Sequence, residues 1–144
     1  MPRIRTARNY DVPAIAALCG ELGYPATRAQ VASRLAVLLA APAHGVWVAE
    51  DDEGRVVGWL HAARCAHLAD DEDVEILGLV VAEAARCGGV GAELLRSAER
   101  WAAEAGTARV RVRSRAERGR AHNFYEREGY SRVKVQVVLD KRIG

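Results

Sequence analysis

Three glycines fall within four positions, Gly88, Gly89 and Gly91, and an amphipathic run follows at once: ARCGGVGAELLRSAERW, residues 85–101. Glycine removes the side chain that blocks close approach to the main chain. The start of a helix leaves amide N–H groups without partners and carries the positive end of the dipole. Together these features can hold an anion, above all a phosphate. Three readings compete for the stretch: a tight turn into a helix, a mononucleotide or dinucleotide loop, or a pyrophosphate loop of another kind.

The elements around the loop alternate as a mixed α/β fold requires. Residues 4–7 read as a first strand. Asp11 is placed to cap a helix with Pro13 in its first turn, and Gly23 ends that helix. A second helix fits 27–41, with Thr27 as cap and Val31, Leu35, Leu38 and Leu39 inward. Residues 45–50 and 55–66 form two strands joined by a hairpin turn at 51–54. DVEILGLVV, residues 73–81, is a further strand, and its apolar end suggests cover on both faces. After the glycine loop, Val90, Leu94, Leu95, Ala98, Trp101, Ala102 and Ala105 recur at helical spacing up to Gly106. A strand over 108–114 places Arg109, Arg111 and Arg113 on one face and Val110 and Val112 on the other. A helix over 120–128 and an extended segment over 130–139 complete the order βααβββαβαβ, with one more strand if the last segment splits.

Composition bounds the function classes. The chain has 144 residues, enough for one domain with a usable core. Half of it is hydrophobic, 28% is charged and the net charge is +2, which alone argues for no nucleic-acid partner. No apolar run reaches the length of a membrane span, and MPRIRTARNYDV lacks a signal-peptide core, so the expected location is cytoplasmic. Cys19, Cys65 and Cys87 lack metal spacing and read as free thiols, so no metal is expected. Trp47 and Trp59 read as core residues.

The glycine loop lacks the Lys-Ser/Thr of a nucleotide P-loop. It also lacks the third spaced glycine of a dinucleotide loop, since Leu94 stands there. What remains is Arg86-x-x-Gly89-x-Gly91 between a strand and a helix. This resembles the loop Arg/Gln-x-x-Gly-x-Gly/Ala of the GCN5-related N-acetyltransferases (GNAT). The resemblance covers nearly the whole chain. IRTARNYDVPAIAAL resembles the family's opening strand and helix, and DVEILGLVV its central strand. AHNFYEREGY matches the late motif A-x-x-F/L-Y-E-x-x-G-F/Y through Ala121, Phe124, Tyr125, Glu126, Gly129 and Tyr130. One position departs: Arg118 stands where the family usually has Asn.

The resemblance implies a single GNAT-like domain over 1–144. Its mixed sheet would have six to seven strands, splayed between strands 4 and 5, with about four helices around it. It implies a transferase that moves an acetyl group from acetyl-coenzyme A to a primary amine by direct transfer. The backbone of Leu79, Val80 and Val81 would meet the coenzyme, with the Val81 amide region at pantetheine and the Leu79 amide at the thioester oxygen. Arg86 and the amides of Cys87, Gly88, Gly89, Val90, Gly91 and Ala92 would hold the pyrophosphate. Arg118 would bond the pantetheine arm, reach the 3′-phosphate, or face water. Tyr125 is the candidate general acid for the departing thiolate. Glu75 is the candidate base, four residues before Leu79 and so expected on the same strand face. Among apolar neighbours its pKa can be raised. His61 and His67 are rival bases. The acceptor pocket would involve residues 22–25 and the acidic run Asp70, Asp71, Glu72 and Asp73, which would attract a cationic amine or be a solvated loop.

Two other functions stay open. One is a non-catalytic acyl-coenzyme A sensor that keeps the site without turnover. The other is nucleic-acid binding through RVRVRSRAERGR, six arginines in residues 109–120. Glu117, the small net charge and the lack of stacking aromatics there argue against nucleic acid as a partner. A membrane partner is not expected, and a homodimer is a resemblance argument only.

Overall fold

Local chemistry sets the ends of each helix. In α1 (Val12–Leu22), Pro13 occupies the first turn, where its missing N–H is no loss. Gly23 ends α1 in the left-handed region at φ 93°, and the amides of Gly23 and Tyr24 close back on Gly20 and Cys19. In α2 (Arg28–Ala40), Thr27 Oγ1 accepts from the Gln30 amide at 3.1 Å and Gln30 Oε1 accepts from the Thr27 amide at 3.0 Å. Asp11 differs from its expected role and makes no side-chain cap on α1. Its carboxylate instead accepts 2.8 Å bonds from the Arg5 guanidinium and the Arg8 amide.

The structure, a computed structural model, describes residues 2–114 and 119–144. The chain forms two compact units, Met1–Arg113 and Ser114–Gly144. The first holds β1 (Arg3–Thr6), α1, α2, β2 (His44–Glu50), β3 (Val56–Cys65), β4 (Asp73–Val81), α3 (Val90–Glu104) and β5 (Val110–Val112). These strands make one sheet in the order β1-β2-β3-β4-β5, antiparallel except for the parallel β4–β5 pair. The β2–β3 hairpin turns at Asp51, whose Oδ1 accepts from the amides of Glu53 and Arg55 at 2.9 Å.

The two faces of the sheet carry different cores. Ile15, Val31, Leu35, Val46 and Val48 cluster on one face, with Leu38 and Trp59 against them. Leu39, expected inward, is 38% exposed. On the other face α3 buries Val90, Leu94, Leu95, Ala98 and Ala102. Trp101 meets Trp47 edge to face at 5.5 Å there.

The second unit contains α4 (Gly119–Arg127), which ends before Gly129 at φ 96°. Tyr125 packs edge to face on Phe124 at 5.1 Å and on Tyr130 at 5.7 Å. The expected strand over 130–139 is not formed. Val133, Val135, Val137, Val138 and Leu139 are 75–88% exposed. Alternation of valines is a propensity, and a strand also needs a paired edge. The sheet therefore has five strands among the described residues, not six to seven.

Candidate active site

The glycine loop leaves its helix start open. β4 runs into a short 3-10 turn, Glu83–Ala85, and then into Arg86, Cys87 and Gly88, all exposed. Gly89 takes φ 82° as the residue before α3, a conformation that favours glycine. The other left-handed residue here is Cys87 at φ 68°, not Gly88. No side chain caps α3, and the Glu93 amide already bonds Gly89 O at 3.1 Å in helical fashion. The first-turn amides of Val90, Gly91 and Ala92 therefore precede the first intrahelical donor and carry the positive end of a fifteen-residue helix. Arg86 folds back so that its Nε donates to Val81 O at 3.3 Å, which ties the loop to the end of β4.

β4 and β5 part early. They pair only at Val74↔Val110, Glu75↔Arg111 and Ile76↔Val112, whereas β4 continues to Val81. β5 is shorter than the strand expected over 108–114. Cover on the second half of β4 is incomplete, since Leu77 is 49% exposed, so the strand is not enclosed on both faces as expected.

A bulge decides which amides face the vacated edge. His61 pairs with Gly78 and Ala62 with Ile76, so Leu77 is an extra residue in β4. Before the bulge the Val74 amide donates to Arg109 O at 3.0 Å, towards β5. After it the Ala82 amide donates to Val57 O at 2.8 Å, towards β3. Backbone groups alternate along a strand, so Val80 and Gly78 also face β3, while Leu79 and Val81 face the open edge. Of the three expected coenzyme-contacting residues, Leu79 and Val81 turn their amides to the edge that β5 leaves, and Val80 faces β3.

The same bulge overturns the expected facing of Glu75. Glu75 is opposite Ala63 and Leu79 is opposite Leu60, and positions 60 and 63 lie on opposite faces of the regular β3. Glu75 thus shares its face with Gly78 and His61, not with the Leu79 side chain. Its carboxylate accepts from Arg113 Nε at 3.2 Å, so its neighbour is a guanidinium rather than an apolar wall. The only sequence trace of the bulge is an isolated glycine, Gly78, inside a strand pattern.

The rival bases are engaged elsewhere. His61 Nε2 lies 2.9 Å from His44 Nδ1, a pairing no spacing rule signals. Burial, and then the neighbouring His44, push His61 down to about 4. His67 Nε2 lies 3.2 Å from Asp73 Oδ1. Burial pushes the Tyr125 phenol up to about 12. Arg118 lies outside the described residues.

The acidic run is largely spent on internal pairs. Glu72 accepts from Arg64 at 3.1 Å and from Thr107 Oγ1 at 3.0 Å. Asp70 accepts from Arg109 at 2.8 Å, and the buried Asp73 lies 3.4 Å from Arg109 and 3.9 Å from Arg111. Hydrogen bonds from Arg109 to Asp70, and from Thr107 and Arg64 to Glu72, hold both carboxyls below the usual range. The same contacts engage Arg109 and Arg111 of the six-arginine run, and Arg113 pairs with Glu75. A cleft of about 260 Å³ at the β1 edge, lined in part by Ile4, Trp47, Arg100 and Trp101, contains none of the expected site residues.

No group of three or more metal-ligating side chains occurs among the described residues. No helix among them is long and apolar enough to cross a membrane. No curated protein matches the sequence. Among solved structures, the chain is similar to the aminoglycoside 6′-N-acetyltransferase AAC(6′)-Ih from Acinetobacter baumannii, at 17% identity, TM-score 0.88 and full coverage of both chains (100% and 100%). It is similar to AAC(6′)-Iy, solved with the bisubstrate analogue CoA-S-monomethyl-acetylneamine, at 17% identity, TM-score 0.87 and 99% of each chain. A transcriptional regulator from Bacillus halodurans C-125 is similar at 20% identity and TM-score 0.87, over 98% of this chain and 100% of that one. At such identities the likeness is one of fold. Residues 14–130 match the model of the acetyltransferase (GNAT) family. This match spans most of the chain, and the chain belongs to the GNAT acetyltransferase family.

Proposed function

We propose that the protein transfers the acetyl group of acetyl-coenzyme A directly to a primary amine of a small molecule or peptide, with residues 1–144 acting as one catalytic domain. One observation carries the reading: the Leu79 and Val81 amides face the edge of β4 that β5 leaves, and a short turn leads from there to an uncapped, glycine-led helix start. The edge matches an amide-bearing arm and the helix start matches a pyrophosphate. The neighbour solved with a coenzyme A bisubstrate analogue lends further support.

In this reading Arg86 and the amides from Cys87 to Ala92 hold the pyrophosphate, and Val81 holds pantetheine. The Leu79 N–H meets the thioester oxygen, where negative charge develops as the amine attacks. Glu75 takes the proton from the ammonium, directly or through water. Its face does not prevent this, because the Leu79 amide lies in the plane of the sheet. His61 is a poor rival, because its Nε2 is engaged with His44 Nδ1 at 2.9 Å. Collapse of the tetrahedral species forms the amide and breaks the C–S bond, and Tyr125 protonates the thiolate.

The acceptor is a primary amine, with polyamines and aminoglycosides first in the panel because two neighbours are aminoglycoside acetyltransferases. The test pairs calorimetric coenzyme binding with release of free thiol across amines, for the native protein, Tyr125→Phe and Glu75→Gln. Amine-dependent release that falls in both variants supports the enzyme. Tight binding with no release on any amine favours an acyl-coenzyme A sensor.

A further inference from the structure

The bulge that exposes the Leu79 and Val81 amides has a side-chain seat. Trp59 on β3 is opposite Val80, and Gly78 is its diagonal neighbour two residues along β4 on the same face. A methyl group built on Gly78 would lie 2.7 Å from Cζ3 and 2.8 Å from Cη2 of Trp59, closer than real side-chain carbons approach. The indole therefore rests on the bare main chain of the first residue after the bulge. Its other contacts anchor it in the α1–α2 face, where it packs on the cluster containing Val46 and Val48. Among the described residues, Trp59 Nε1 is the buried side-chain polar atom with no hydrogen-bond partner. A buried donor left unpaired is a cost, so this ring is placed by its shape rather than by its polar end.

We propose that Trp59 seated on Gly78 is a positioning pair. It holds the extra residue at Leu77, and so sets which amides of β4 face the vacated edge. The role assigned to those amides rests on the acetyl-coenzyme A reading above. The causal order runs from ring to bulge to amide. Without the extra residue, alternation would carry on from Val74 and Ile76, and Gly78 and Val80 would face the open edge. Leu79 and Val81 would then bond β3, and no amide at Leu79 would be left for the thioester oxygen. Gly78 is needed because any side chain there meets the ring, and the ring is needed because it covers the bulge from the core side.

The test uses the full chain with Gly78→Ala, Trp59→Phe, Trp59→Leu and the double variant Trp59→Leu/Gly78→Ala. Amide hydrogen exchange by NMR reads the bulge without any ligand. Calorimetry reads coenzyme affinity, and kinetics separate kcat from the two KM values. The native protein is expected to show faster exchange at Leu79 and Val81 than at Gly78, Val80 and Ala82. Gly78→Ala is expected to disturb that pattern and to lower coenzyme affinity and kcat about tenfold or more, with amine KM little changed. Trp59→Leu should lose as much as Gly78→Ala, and because both changes act through one contact, the double variant should lose no more than the worse single variant. Trp59→Phe should fold and show a smaller loss of the same kind. If Gly78→Ala leaves both exchange and coenzyme affinity unchanged, or if the losses of Gly78→Ala and Trp59→Leu simply add in the double variant, the pair does not position the strand. If the exchange pattern shifts as expected while the native protein binds no coenzyme, the bulge assignment stands and the coenzyme reading falls.

Discussion

Tyr125 stays protonated over any working pH, because burial pushes its phenol up to about 12. A thiol of ordinary acidity has a pKa of about 8.5, so its thiolate is the weaker base. Full proton transfer is uphill at rest, so in the proposed mechanism the phenol first donates a hydrogen bond to sulfur and passes its proton only as the C–S bond breaks. Tyr125→Phe is therefore expected to lower kcat by about 100-fold while coenzyme affinity changes less than about twofold, measured by thiol release and calorimetry. An unchanged kcat would remove Tyr125 from the mechanism. His61 gives a different signal. Its folded-state value near 4 lies below the ordinary 6.5. Between those limits the unfolded chain binds a proton that the folded chain refuses, so stability falls as pH drops from about 6.5 to 4. The depressed carboxyls, Asp11, Asp51, Asp70 and Glu72, lose their contributions only as pH falls further, below their unfolded values. His61→Gln should flatten the fall between pH 6.5 and 4.5 in urea midpoints. Equal slopes in both proteins would contradict this assignment.

At the scale of elements, the glycine-led start of α3 and the tie beneath β1 make separate predictions. Gly89 at φ 82° resists any Cβ, so Gly89→Ala is expected to cost about 1–2 kcal/mol and to weaken coenzyme binding as the first-turn amides shift. A variant with native stability and native affinity would contradict the role of the loop. Arg5 bridges Asp11 and Glu50, and Asp11 is 3% exposed. Burial pushes the Asp11 carboxyl up, but bonds from Arg5 and the Arg8 amide outweigh it and hold it below its usual value. Asp11→Ala leaves a partly buried guanidinium short of one partner and should cost about 3 kcal/mol in chemical unfolding. The helices were legible in the sequence to within a residue or two, because Thr27, Gly23 and Gly106 mark their ends by local chemistry. β4 was legible in both bounds. The bulge inside it was not, since it depends on pairing with β3, and one glycine is its only local trace. The inverted facing of Glu75 follows directly from that blind spot. So does the narrowing of the open-edge amides to those of Leu79 and Val81.

Across the whole molecule, charge that looked available in the sequence is mostly neutralised. Asp70, Glu72 and Asp73 read as a possible lure for a cationic substrate, and Arg109, Arg111 and Arg113 as a basic edge. In the structure these runs largely answer each other. Long-range pairing of this kind links residues 64–75 with 109–113, and no window of sequence shows it. The segment 130–139 was misread for a related reason: β propensity is local, and a strand needs an edge to join. What the sequence did carry was the glycine loop and the late aromatic motif, both of which are short-range patterns. Titrating acetyl-coenzyme A into the ¹⁵N-labelled protein asks whether the bulged end of β4 and the start of α3 form one coenzyme site. Saturable shifts are expected at the amides of Leu79, Val81, Val90, Gly91 and Ala92, and much smaller ones at Gly78 and Val80, which face β3. Saturable binding that leaves Leu79 and Val81 unmoved, or no binding at all, would contradict that single site.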